Sequence, residues 1–317
     1  MTKEVQEIIK KFKDKGYTIK EVSKPWRSTV AFLERKNKLF ILKIVQSNDS
    51  TVNKISDHSL IVDELKNQVL WEREAGGLIA NKNLPVIIPK TYEYEFSRNI
   101  GYILQEYIKG EKIEEAKDFD RWVNPFCETL HYFNSIPIDR VNFVPEKVPA
   151  YKWLIGKIKK WSEAPLQEKV IKKLDVEKVC DITEQAKTLL HFGLEHGDFS
   201  PRHLIAYRYP VFGLIDAEKG GVNKAAYYDV AYFYPKIYLR LNNPVLAKKF
   251  LKRFMEGLKE SPENFSKQFM PLLISRAIGT ITDYILRDRN FDDSTSLEKR
   301  VIFFYLTLKN DINLLSS

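Results

Sequence analysis

The chain has 317 residues, of which 44% are hydrophobic, 13% aromatic and 29% charged. That composition supports a sizeable core and excludes a disordered chain, a collagen-like fibre and a disulfide-stapled miniprotein. The length suits two domains or one two-lobed unit. The net charge is +9, from 51 Lys+Arg against 42 Asp+Glu. The basic residues are spread along the chain in pairs such as Lys10-Lys11, Lys159-Lys160 and Lys248-Lys249. Such pairs read as solvated helix faces and not as a nucleic-acid stripe. Cys127 and Cys180 are the only cysteines and lack CxxC spacing, so they build no zinc or iron–sulfur framework. No apolar run reaches the roughly 20 residues that span a bilayer, and Met1-Thr2-Lys3-Glu4-Val5 carries no apolar signal core. The expectation is a soluble, cytoplasmic protein with no nucleic-acid or membrane partner.

In chain order, residues 17–23, 28–35 and 38–46 read as three strands of a meander. A polar loop from Gln46 to Asp57 follows. Residues 59–80 have helical spacing, with Leu60, Leu65, Val69 and Leu78-Ile79 on the pattern. Pro85 and Pro89 punctuate the next stretch, and Thr91–Phe96 with Gly101–Ile108 predicts a hairpin around Ser97-Arg98-Asn99. After Gly110 the texture turns helical: residues 118–134, 151–162, 164–174, 177–191 and about 227 onward. One short β segment, 203–216, interrupts it. The predicted fold class is α+β and two-lobed. A small antiparallel sheet with one helix spans residues 1–108, a larger, mainly helical lobe spans residues 109–317, and Ile108-Lys109-Gly110 is the junction.

The β segment carries the chemistry. Leu204–Tyr207 and Val211–Ile215 are short apolar strands, with Arg208-Tyr209-Pro210 as the turn. Opposed residues of an antiparallel hairpin have a constant sum, so a turn centred near Tyr209-Pro210 sets His203 opposite Asp216, to within about two residues. Asp198 lies on the loop entering the hairpin. Two carboxylates brought this close repel unless a cation or a proton lies between them, and oxygen ligands suit magnesium. On the first lobe, Lys43 sits inside Leu39-Phe40-Ile41-Leu42-Lys43-Ile44-Val45, where a buried ammonium needs a paired charge.

His196-Gly197-Asp198, His203 five residues on, Ile215-Asp216 and Tyr228-Asp229-Val230-Ala231 together resemble the aminoglycoside phosphotransferase-like kinases, and Leu130-His131 matches the end of a long helix of that family. The resemblance implies a protein-kinase-like fold and transfer of phosphate from ATP or GTP to a hydroxyl of a small molecule. It implies Asp198 as the catalytic residue that orients the attacking hydroxyl, Asp216 and His203 as metal-binding residues for Mg, and Asp229 as the carboxylate that holds the catalytic loop. Most of the family has Asn where this chain has His203, although some macrolide and aminoglycoside phosphotransferases carry His. Imidazole matches magnesium less well than an amide oxygen.

For the nucleotide, the resemblance implies Lys43 on the phosphates, paired with Glu74 of the helix, with Glu72 as the second choice. In Ser23-Lys24-Pro25-Trp26-Arg27-Ser28-Thr29, a stretch with no glycine, the Ser28 and Thr29 hydroxyls or backbone N–H groups are the expected phosphate cover, against a plain turn. Adenine is expected on backbone groups around Glu106 to Ile108. Asp283, Asp288, Asp292 and Asp293 are candidates for a cationic acceptor, against solvated helix ends. Tyr227, Tyr228, Tyr232, Phe233, Tyr234 and Tyr238 read as core or as a pocket wall. No Ala-Pro-Glu segment follows Asp216, which argues against a protein acceptor. The competing reading is a pseudokinase that binds nucleotide or a partner without turnover. A nucleic-acid binder ranks last.

Overall fold

The structure is a computed structural model that describes residues 1–24, 28–47, 58–115, 118–143, 147–286 and 295–309. The chain opens with helix α1 (Lys3–Asp14), which carries the Lys10-Lys11 pair expected on a solvated helix face. Thr2 caps it by accepting the Val5 N–H at 3.4 Å, and Val5, Ile9 and Phe12 form its buried stripe. Strands β1 (Thr18–Ser23), β2 (Ser28–Arg35) and β3 (Lys38–Gln46) follow. Helix α2 (His58–Ile79) leads to β4 (Val86–Ile87), β5 (Thr91–Phe96) and β6 (Ile100–Glu106).

Five of these strands form an antiparallel sheet in the order β1-β2-β3-β6-β5. Strand alternation gives the sheet two different faces. Ala31, Leu33, Phe40, Leu42, Ile44, Tyr102 and Leu104 pack under α1, while Val45 and Ile103 pack against Ile61, Val62, Leu65 and Val69 of α2. Each fully buried side chain of this kind contributes about 1.5–3 kcal/mol. Lys43 pairs with Val30 and Ile103, so it points to the α2 face.

Past β7 (Glu111–Lys112) the second lobe begins with α3 (Val123–Asn134), α4 (Ala150–Gln167) and α5 (Lys173–Gln185). Strands β8 (Phe192–Glu195), β9 (Leu204–Arg208), β10 (Val211–Leu214) and β11 (Gly221–Ala225) come next. Helices α6 (Tyr228–Pro235), α7 (Pro244–Glu256), α8 (Pro262–Leu286) and α9 (Leu297–Leu308) complete it. The antiparallel five-stranded first lobe and the helical second lobe are the two-lobed architecture expected.

The differences have physical causes. Two helices were expected over 151–162 and 164–174, but one helix runs through Pro165. Proline lacks the N–H that would bond the carbonyl of Trp161, and the Thr282 hydroxyl donates to that carbonyl instead. A single β segment was expected in the second lobe, yet β8 pairs with β11, and β7 and β4 flank the β9–β10 hairpin. These are two to five residues long, too short for a period-2 pattern to stand out. No apolar span was expected, but α8 is long and apolar enough to cross a membrane; 72% of its most apolar window is buried within the protein.

The lobes interlock. Strand β4, from before the junction, pairs parallel with β10, Val86 opposite Phe212 and Ile87 opposite Gly213. Trp71, Ala75, Val86 and Ile88 belong to the large core of the second lobe. The connecting segment crosses the hairpin closely: a Cβ on Gly110 would lie 2.1 Å from the Ala206 carbonyl oxygen, and one on Gly213 would lie 2.8 Å from Ile108. Only glycine fits at either crossing.

Candidate active site

The loop between β8 and β9 is held by buried carboxylates. Asp229, in the first turn of α6, accepts the N–H groups of His196 and Gly197, the latter at 2.8 Å, and its own N–H is donated to Glu195 Oε2 at 2.8 Å. Burial and mutual repulsion raise the Glu195 pKa well above its usual value and raise that of Asp229 as well, so the pair holds a proton more tightly than free carboxyls do. Gly197 has φ +79°, and a Cβ there would meet the Lys219 carbonyl oxygen at 2.3 Å. The His196 ring stands edge-on to Trp71 with centroids 5.1 Å apart. Burial, reinforced by nearby His203, lowers its pKa to about 4, so it is neutral. Its two nitrogens then have defined tasks. Nε2–H donates to the Ile215 carbonyl at 3.0 Å, and Nδ1 accepts the Asp198 N–H at 3.3 Å. Sequence reasoning used His196 only as a motif letter, whereas it joins the Asp198 loop to the Asp216 strand.

Asp198 accepts a hydrogen bond from Arg202 Nη2 on Oδ2 at 3.3 Å, while its Oδ1 is buried without a partner. Burial alone would raise its pKa, but His203, Arg202 and the nearby Tyr232 hydroxyl outweigh that and hold the carboxyl well below the usual range. The hairpin register runs one residue from the expected one. A bulge between Val211 and Phe212 pairs Leu214 with Leu204, and Ile215 N–H donates to the His203 carbonyl at 3.0 Å. His203 is therefore opposite Ile215. Asp216, with φ +68°, turns its side chain back so that Oδ2 lies 3.3 Å from His203 Nε2. His203 Nδ1 also lies 2.9 Å from the Asp198 carbonyl oxygen. Asp198, His203 and Asp216 thus converge as predicted, by a different register.

Lys43 joins the cluster from the first lobe. Its Nζ lies 2.5 Å from both Asp216 Oδ1 and Glu218 Oε1 and donates to Gln68 Oε1 at 3.2 Å. Burial would lower its pKa, but the two carboxylates outweigh this and raise it. The expected partner, Glu74, is not there. It accepts from the backbone N–H and Nδ2 of Asn142, at 3.2 and 2.9 Å. The α2 face on the sheet carries Leu65, Val69 and Glu72, whereas Glu74 shares its side with Asn67 and Trp71, which meet the segment after Asp216. Leu70, one turn before Glu74, is exposed. Glu72 is buried and accepts from Gln68 at 2.8 Å, Thr91 at 2.9 Å and Gln105, so it reaches Lys43 only through Gln68. Glu218 followed no expected motif; an acidic residue two positions past Asp216 is the signal that was available.

Ser28 begins β2 on the Lys43 face, and Thr29 points to the α1 face. Residues 25–27 of the expected phosphate loop lie outside the described residues. Glu106 closes β6 and donates its N–H to the Lys90 carbonyl, and Ile108 packs on the hairpin. Glu106 pairs with Phe40, so its side chain lies on the α1 face, opposite to that of Lys43.

Asp216 and His203 form the donor set for a cation. His203 Nε2 accepts a hydrogen bond from Arg202 Nε at 3.1 Å and lies 3.3 Å from Asp216 Oδ2. Among the described residues no three such side chains cluster closely enough to hold an ion by themselves. Asp216 suits an ion such as magnesium, which is held by one or two carboxylates and completes its shell from water and phosphate, whereas the imidazole of His203 matches it less well.

This architecture is the protein-kinase-like fold of the aminoglycoside phosphotransferases. No protein-family model and no curated protein matches the sequence. Solved structures match over nearly the whole chain. The aminoglycoside phosphotransferase APH(4)-Ia is 14% identical, with 96% of this chain and 98% of that one covered at a TM-score of 0.64. Spectinomycin phosphotransferase APH(9)-Ia is 10% identical, with 98% of both chains covered at 0.51. A Plasmodium vivax ethanolamine kinase is 15% identical, with 92% and 82% covered at 0.54.

Proposed function

We propose that the protein is a nucleotide-dependent O-phosphotransferase that moves the γ-phosphate of ATP or GTP to a hydroxyl of a small molecule. The observation that carries this reading is an ionised Asp198 with one buried, unpartnered oxygen, set beside an Asp216–Lys43 pair that joins the two lobes. In the proposed mechanism Oδ1 of Asp198 accepts the hydrogen bond of the acceptor hydroxyl and aims its oxygen at the phosphorus. Arg202 and His203 keep the carboxyl ionised for that task. Lys43 exchanges a carboxylate for phosphate oxygens when nucleotide enters. Ser28 covers the phosphates, and the backbone from Glu106 to Ile108 receives the base. Asp216 and His203 would hold magnesium, which when bound neutralises charge on the phosphates. Solved relatives in complex with AMP-PNP or ADP and hygromycin B support a nucleotide and a small acceptor for this fold.

The pseudokinase reading keeps one observation in its favour: Lys43 is engaged by Asp216 and Glu218 and not by a carboxylate of α2. Purified protein with ATP, magnesium and a panel of hydroxylated compounds separates the two. The proposed enzyme transfers phosphate, and Asp198→Asn slows transfer about 10²–10⁴-fold while nucleotide still binds. Nucleotide binding with no transfer to any acceptor favours the pseudokinase, and no nucleotide binding refutes the enzyme and leaves only a partner-binding pseudokinase.

A further inference from the structure

The ground beside Asp198 is basic. Tyr228, Tyr232 and Lys236 follow one another at four-residue spacing along α6 and into the π-helical segment Lys236–Arg240. Facing them, α8 presents Arg276 and, seven residues on, Asp283. Arg276 is 5% exposed. Its guanidinium lies 4.3 Å from the Tyr232 ring centroid and 4.7 Å from that of Trp161. Gly279 leaves it room, since a Cβ there would stand 3.2 Å from Nη1. Its one hydrogen bond among the described residues runs from Nη1 to the Tyr228 hydroxyl at 3.1 Å, and its Nε is buried without a partner. A buried arginine ordinarily finds a carboxylate for its fork of donors. Among the described residues none lies within 4.0 Å of this one.

Lys236 repeats the pattern. Its ammonium sits 5.2 Å from the Tyr232 ring centroid, with no ion pair within 4.0 Å among the described residues. Burial lowers its pKa to about 8 against the pull of Asp283 and Asp198, and Arg276 and Arg202 push the same way as burial. Three cations, Arg202, Lys236 and Arg276, are therefore within electrostatic reach of one another and of the carboxylates of Asp198 and Asp283. Asp283, a sequence candidate for holding a cationic acceptor, already faces Lys236 and Arg276. The other candidates, Asp288, Asp292 and Asp293, lie outside the described residues. An amine arriving at Asp198 meets like charge, whereas a carboxylate or phosphate meets two cations with no carboxylate within 4.0 Å among the described residues, Asp283 and Asp198 acting on them only at longer range.

We propose that the acceptor is an anion: a hydroxyl-bearing small molecule whose carboxylate or phosphate group is seated on Lys236 and Arg276 while its hydroxyl reaches Asp198. This rests on the phosphotransferase reading and narrows it away from cationic acceptors. The test uses two matched sets of probes: glucose, glucosamine, glucuronate and glucose 6-phosphate, and glycerol, ethanolamine, glycerate and glycerol 3-phosphate. Binding is measured by calorimetry on the full chain loaded with ADP and magnesium, which keeps the anions out of the nucleotide cleft. Transfer is measured separately with ATP. At least one anionic member is expected to bind about tenfold or more tighter than its neutral and cationic counterparts. Lys236→Met loses that preference, and Arg276→Lys, which keeps the charge and spares the fold, weakens it less. Asp198→Asn slows transfer about 10²–10⁴-fold but keeps the binding preference. Tighter binding of glucosamine or ethanolamine, no anion preference in either set, or a preference untouched by Lys236→Met overturns the anionic acceptor. Anion preference with no transfer to any probe overturns only the phosphotransferase reading.

Discussion

Replacing Glu72 with glutamine probes how the first lobe positions Lys43. Glu72 is 3% exposed and accepts from Gln68, Thr91 and Gln105. Burial raises its pKa from an ordinary value near 4.5 to about 7, and those three donors offset only part of the effect. A raised carboxyl pKa means that the folded protein binds the proton more tightly than the unfolded chain. The stabilisation is complete below pH 4.5 and is lost as the pH rises through about 7. Each pKa unit is worth about 1.4 kcal/mol, so the shift corresponds to about 3 kcal/mol, most of it lost between about pH 5 and pH 8. Glu72→Gln removes the titration. Urea unfolding of both proteins at pH 5 and pH 8 should show that the wild type loses about 2–3 kcal/mol more than the variant across the interval. The comparison cancels other titrating groups, including the Glu195–Asp229 pair. Equal losses in the two proteins would refute the placement of Glu72 as a buried carboxyl without a cation at its side.

Three further outcomes follow from the geometry. Gly220→Ala places a Cβ 2.3 Å from Cδ1 of Trp71, a ring held against His196 and Phe133; a loss of about 1–3 kcal/mol is expected in chemical denaturation, and a neutral result contradicts that packing. Asp229→Ala strands the buried N–H groups of His196 and Gly197, costing about 1–3 kcal/mol for each, with hydrogen exchange at those two amides as the local readout. Lys43→Met removes the cation shared by Asp216 and Glu218 and should weaken binding of a fluorescent ATP analogue about tenfold or more; unchanged affinity removes Lys43 from the nucleotide site.

The legible parts of the sequence are those where one period dominates. Strands β2 and β3 were read to the residue because they alternate over eight and nine positions. The convergence of Asp198, His203 and Asp216 was legible because a hairpin forces it even when the register slips by one. The partner of Lys43 was not legible on α2, because that helix is apolar on two sides, so Glu72 and Glu74 both lie on an inward face, and neither is the carboxylate at Lys43. Arg276 was overlooked inside Leu272-Leu273-Ile274-Ser275-Arg276-Ala277-Ile278-Gly279, although one charge in so apolar a run is costly to bury and marks a position worth questioning. Lys236 gave no comparable signal beside Pro235. Its meaning depends on α8, which lies dozens of residues away in the chain and reaches it only through tertiary packing.

The parallel pairing of β4 with β10 has a mechanical consequence. A clamshell that swung freely at Ile108-Lys109-Gly110 would have to break the Val86–Phe212 and Ile87–Gly213 ladder and pull Trp71 off Gly220. The inner part of the cleft is therefore riveted on both sides of the hinge axis. If nucleotide binds as proposed, access for its triphosphate falls to the edge of the sheet at β1 and β2, which pair with no second-lobe strand among the described residues. Loading and unloading would then resemble the lifting of a flap and not the opening of a jaw.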